Sequence, residues 1–234
     1  MKNDFVDPFQ EMEEPRKPLI IVMVSIVVTW FLYVPIHELL HVAGCVFTGG
    51  TVSELVMGRE YGADFLKEIF PFITPATTKY AGRVTGFEPN GDIGYLICVF
   101  APFILTLFPG VWCLKQAYKK KIYWMMGPGV VMGLASFYNL TGDYFEMGTI
   151  LSTRLINSLL GGGPADNFAS FWLLRSDDIF RLFSEISEAP EMYGIGTVNG
   201  TLVTSLAIAI GLFLAISLAG WVYQIGRLCA RWNS

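Results

Sequence analysis

The sequence predicts an all-α polytopic membrane protein, and three observations point to that class. Hydrophobic residues make up 53% of the 234 residues, charged residues only 15%, and the mean hydropathy is +0.49. That balance belongs to a membrane protein rather than a soluble domain. Four uncharged or nearly uncharged runs, 19–47, 93–114, 122–142 and 202–223, approach or exceed the ~20 residues that a spanning helix needs. Lysines and arginines cluster in short stretches beside those runs, as they do at the cytoplasmic ends of membrane helices.

Residues 1–18 are polar and net acidic, with Pro8, Pro15 and Pro18, and read as a loosely attached tail. They lack the short basic start and brief apolar core of a signal peptide. The first apolar run, 19–47, is long enough to cross with tilt, and Pro35 is expected to bend it. Between the second and third runs Lys115, Lys119, Lys120 and Lys121 make a strongly basic turn, which the positive-inside rule puts in the cytoplasm. Alternation then places both termini in the cytoplasm, with Arg16 and Lys17 at one end and Arg227 and Arg231 in a short basic tail, 227–234, at the other. Loops 51–92 and 143–200 face outward.

Within the second loop, apolar residues of 168–186 repeat at three- and four-residue spacing with charges between them. This predicts an amphipathic helix at the membrane surface. Residues 19–226 thus form one membrane-embedded domain in contact with the lipid bilayer. The location is a multi-pass membrane protein, with a bacterial inner membrane favoured.

Composition also excludes. A net charge of −4 with no basic stripe argues against a nucleic-acid partner. The four cysteines form no CxxC pair, so neither a disulfide framework nor a thiolate zinc site is indicated.

The first run carries the chemistry. Its only two histidines stand four apart, in His37-Glu38-Leu39-Leu40-His41. On a helix that spacing puts both imidazoles on one face, where they can share a zinc ion. Glu38, between them, is placed to act as general base toward a water activated by the metal. Ionisable residues inside an apolar span are costly and read as functional.

A catalytic zinc generally takes three protein ligands, and no third histidine exists, so a carboxylate or cysteine must complete the set. The third run ends in Asn139-Leu140-Thr141-Gly142-Asp143-Tyr144-Phe145-Glu146, which supplies two carboxylates. His37 lies twenty residues after Lys17 and Asp143 twenty-two after Lys121. Two helices rising from the same surface would therefore bring them to nearly one height. Asp143 is the first candidate and Glu146 the second. If the helix continues, Asn139 shares their face and could bind substrate or the metal-bound carboxylate.

These residues resemble the site-2 protease family of intramembrane zinc metalloproteases. The likeness rests on HExxH in a spanning segment, then Ala43 and Gly44, then a glycine-strand-glycine stretch from Gly49 to Gly58. Asp143, 102 residues after His41, stands where the family's later helix contributes an aspartate ligand. The chain departs from the family's Asn, Pro and Leu-Asp-Gly pattern: it has Asn139, no proline, and Gly142 before Asp143. The resemblance implies a divergent member with a short re-entrant β element after the motif. It also implies Zn²⁺ as cofactor and cleavage of a membrane-protein or membrane-tethered substrate in or beside its spanning segment. A metal or proton transporter, or a catalytically silent membrane scaffold, would use the same buried polar residues differently.

Overall fold

The structure, a computed structural model of the chain, describes residues 16–77, 82–159, 178–193 and 195–232. The N-terminal tail therefore lies outside the described residues up to residue 15, and so does 168–177 of the expected surface helix.

Helix α1 (Arg16–Phe47) runs unbroken through Pro35. After it the chain turns through Gly49 and enters β1 (Thr51–Gly58). A short helix α2 (Ala63–Ile69) leads to β2 (Ile73–Ala76), and β3 (Gly82–Glu88) follows. The three strands form one sheet in the order β2-β1-β3. β1 pairs in parallel with β2 (Leu55 opposite Ile73) and antiparallel with β3 (Thr51 opposite Glu88, Met57 opposite Gly82). Leu55 and Met57, two apart on one face of β1, are fully buried and pack with Val42 of α1, Ala63 and Ile73. This period-two burial pins the sheet against α1. A small three-stranded sheet thus follows the motif, and the chain is mostly rather than wholly helical.

Helix α3 (Gly91–Phe100) continues through a turn at Ala101–Phe103 and a kinked stretch at Thr106–Gly110 into α4 (Val111–Lys120). Beyond the basic turn come α5 (Met126–Val131) and α6 (Ala135–Tyr138), then α7 (Asp143–Leu159). Helices α8 (Ile179–Glu188) and α9 (Val198–Trp232) complete the described chain. Among the described residues, three stretches, 17–47, 91–120 and 198–231, are long and apolar enough to cross a membrane. Arg227 and Arg231 lie within α9.

The third run corrects the expectation of a continuous helix over 122–142. Turns at 132–134 and 139–142 split it into short pieces. The run is closely packed: a side chain at Gly127 would meet Ser25 of α1 at 2.2 Å, and one at Gly133, in the first turn, would meet Gly110 backbone at 2.9 Å. Small residues permit these approaches but hold a helix weakly. The stretch from 143 is likewise helix rather than loop. Gly148 of α7 touches Gly211 of α9 so closely that a Cβ would lie 2.1 Å from the Gly211 oxygen. Buried Thr149 and Ser152 satisfy their hydroxyls on the preceding turn, at the carbonyls of Glu146 (2.8 Å) and Thr149 (3.0 Å).

The basic turn after α4 lies beside the end of α9. Lys115 Nζ donates to the Ala230 carbonyl at 2.8 Å, and Ser25 bonds the Trp124 carbonyl. The early part of α1, the basic turn and the end of α9 are therefore neighbours. At the other end Arg154 of α7 pairs with Asp92 of α3 at 2.9 Å. Helix α8 packs by its buried Leu182 among Phe145, Ile156 and Ala207, and so lies against the helices rather than standing free of them.

Candidate metal centre

One turn of α1 carries His37 and His41, both buried. Asp143 opens α7, where the break after α6 has reset the chain. Its Oδ2 lies 3.2 Å from His37 Nε2 and 3.8 Å from His41 Nε2, and the two Nε2 atoms are 3.1 Å apart. All three ligand atoms fall within 4.8 Å of one another.

The hydrogen bonds behind this triangle decide what it can hold. His41 Nδ1 is 2.9 Å from the Cys98 carbonyl, which can only accept. A neutral His41 therefore carries its proton on Nδ1 and leaves Nε2 bare. His37 Nδ1 is engaged by the Tyr33 hydroxyl at 2.8 Å, so its Nε2 too is left for the triangle. Asp143 Oδ2 is buried and accepts no hydrogen bond. Two imidazole nitrogens and a carboxylate oxygen with no hydrogen-bond partner converge in a buried space, an arrangement that a cation at the centre would satisfy.

Zinc–ligand bonds of about 2.0–2.2 Å at tetrahedral angles put neighbouring ligand atoms roughly 3.3 Å apart, close to the spacings seen. Imidazoles held at Nδ1 by an outer partner are the usual arrangement around such ions. The donor set, two imidazoles and a carboxylate, suits zinc. Fully buried Phe103 packs edge-on against His37 with ring centroids 5.9 Å apart, so one wall of the site is apolar.

A cavity of about 680 Å³ opens beside the triangle, lined by Glu38, His41 and Asp143 together with side chains of β3, α3, α7 and α8. Glu38 is half-buried, and Gly82 of β3 lies against it. A Cβ at Gly82 would come within 2.5 Å of Glu38 Cγ, so a side chain there would displace the carboxylate.

Glu146 also lines the cavity, one turn beyond Asp143, but it receives the Tyr95 hydroxyl and stands outside the triangle. Asn139 is not among the cavity-lining residues; its amide donates to the Ala135 carbonyl at 3.2 Å. The turn at 139–142 takes it off the helical face that Asp143 and Glu146 share. Helix α8 faces the cavity with Arg181 and Glu185, which pair at 2.8 Å. The Tyr193 hydroxyl, with Arg181 adding to it, holds the Glu185 carboxyl below its usual range.

Sequence reasoning missed Tyr33, Gly82, Tyr95 and the Cys98 carbonyl. Tyr33 left a signal, since it precedes His37 by one helical turn and so shares its face. The others leave none, because their roles depend on where α3 and β3 come to rest. Comparison with protein-family models, with curated proteins and with solved structures finds no match to this chain.

Proposed function

We propose that this chain is a zinc-dependent intramembrane endopeptidase, with His37, His41 and Asp143 as metal ligands and Glu38 as general base. The observation that carries the reading is the meeting of three ligand atoms, from His37, His41 and Asp143, beside a cavity that Glu38, His41 and Asp143 line. Zinc held there supplies a Lewis acid that acidifies a water and polarises a carbonyl oxygen. The Glu38 carboxylate takes the proton of the attacking water and delivers it to the leaving amine. Gly82 keeps the space that this carboxylate needs.

The substrate is a membrane protein. A peptide bond inside a helix is shielded by the helix's own hydrogen bonds, so the segment to be cut must be extended. β3 is the outer strand of the sheet on the cavity side, and Gly82, Arg83, Val84 and Phe87 line the cavity. An extended substrate added along β3 would lie beside Glu38. In the bilayer we read four crossings: α1, 91–120, the broken stretch 123–159, and α9. The basic turn region, lying beside the early part of α1 and the end of α9, supports cytoplasmic termini.

Native membranes provide the test. Termini of membrane-protein fragments should be mapped in cells making the wild type or the His37→Ala/His41→Ala variant. New termini in or beside spanning segments are expected with the wild type alone. Identical maps would favour a transporter or a silent scaffold.

A further inference from the structure

Partners within the protein account for the charged groups of the cavity wall, with one exception. Arg181 pairs with Glu185 at 2.8 Å, and the Tyr193 hydroxyl donates to the same carboxyl at 2.7 Å. Glu146 receives the Tyr95 hydroxyl, and Asp178 accepts the Phe180 amide at 2.6 Å. Glu38 and Asp143 belong to the centre already described. Arg83 of β3 remains. It lines the cavity, is exposed, and makes no hydrogen bond or ion pair among the described residues. Glu185 feels its charge without pairing with it.

Strand geometry fixes where that charge falls along a substrate. Gly82 lies against Glu38, and Val84 packs with the cluster of Val42, Leu55 and Met57. These two share the face of β3 turned to α1, so Arg83, between them, stands on the other face. One edge of β3 pairs with β1, and its other edge is free among the described residues. A substrate strand added to the free edge sets its side chains opposite those of β3, each pair on one face of the sheet. The bond that Glu38 serves lies near Gly82, so a substrate residue beside that bond comes opposite Arg83. An apolar side chain there would cover the guanidinium and leave it without a partner, which desolvation penalises. A carboxylate matches its planar fork of donors.

We propose that Arg83 is a specificity-determining residue, and that the preferred substrate carries an aspartate or glutamate beside the scissile bond. This inference rests on the endopeptidase reading and names its substrate class. The segment cut is an extended stretch of a membrane protein with an acidic residue in it, rather than an unbroken apolar span.

The test is a cleavage profile of the purified, zinc-loaded full chain on a library of synthetic single-span peptides. Each peptide carries alanine, glutamate or lysine at one position near an unwound stretch, and products are read by mass spectrometry. Cuts also made by the His37→Ala/His41→Ala variant are discounted. Exposed ion pairs and cross-strand charge pairs shift an equilibrium by roughly 2–5-fold, so glutamate at one position should speed cleavage over alanine by about that factor. Lysine at the same position should slow it. Arg83→Gln should flatten the profile, and Arg83→Glu should reverse it, with lysine now favoured. Arg83 has no hydrogen bond or ion pair in the protein to lose, so both variants should keep wild-type zinc content and thermal unfolding. A wild-type profile blind to charge would overturn the proposal. So would a glutamate preference that survives in Arg83→Glu, or loss of all cutting in both variants. If the wild type holds zinc but cuts none of the peptides, the endopeptidase reading fails and this inference with it.

Discussion

Glu38→Gln is expected to stop cleavage of a co-expressed membrane substrate while the purified protein keeps its zinc. Glutamine matches glutamate in size and can still lie against Gly82, so the cavity keeps its shape. What it loses is the ability to take a proton from water at neutral pH. General acid–base groups contribute ~10²–10⁴-fold to rate, and a loss of that size would leave no product visible on a blot. The ligand triangle does not include Glu38, so metal per chain should stay at the wild-type value. A transporter would need the ligands but no base at this position. The assay is therefore paired: fragment yield in membranes, and elemental analysis of the purified variant. Undiminished cleavage with zinc retained would contradict the mechanism.

Asp143→Ala should empty the centre, and Glu146→Ala should not. Asp143 brings the only carboxylate oxygen of the triangle, whereas Glu146 is engaged by Tyr95. Removing a direct ligand should cost more than the ~10–100-fold that removal of an outer partner costs. Zinc in Asp143→Ala is then expected to be lost during purification, with cleavage lost alongside it. In Glu146→Ala zinc should remain near one ion per chain. The reverse pattern, zinc kept in Asp143→Ala and lost in Glu146→Ala, would assign the third ligand to Glu146.

Much of this site can be read from residue order alone, and the reason is helical geometry. Spacing of four puts His37 and His41 on one face, and nearly equal distances from the flanking lysines, twenty and twenty-two residues, point to Asp143. That height match survives the break in the third run because the short pieces after the basic turn still climb alongside α1. The shared face proposed for Asn139, Asp143 and Glu146 does not survive, since it needs an unbroken helix through 139–142. Hydropathy sees Gly127, Pro128, Gly129 and Gly133 as apolar and uninterrupted. Their close approaches to Ser25, Leu114 and Gly110 arise from how the helices pack, and such contacts are invisible in one dimension.

Helix α7 is hidden for the opposite reason. Its serines and threonines look like loop, yet several are buried and hydrogen-bonded to their own helix. Gly82 has no mark in the sequence that ties it to Glu38, 44 residues earlier. That relation exists only once β3 has paired with β1, Met57 opposite Gly82.

The most direct test of the central claim is zinc K-edge X-ray absorption on the purified wild-type protein. The account predicts a first shell of light atoms only, nitrogen and oxygen at about 2.0–2.2 Å, with outer scattering from two imidazole rings. Sulfur at about 2.3 Å would bring one of the cysteines into the shell, and a shell with no imidazole would remove the histidines from it. Either result would contradict a centre built from His37, His41 and Asp143.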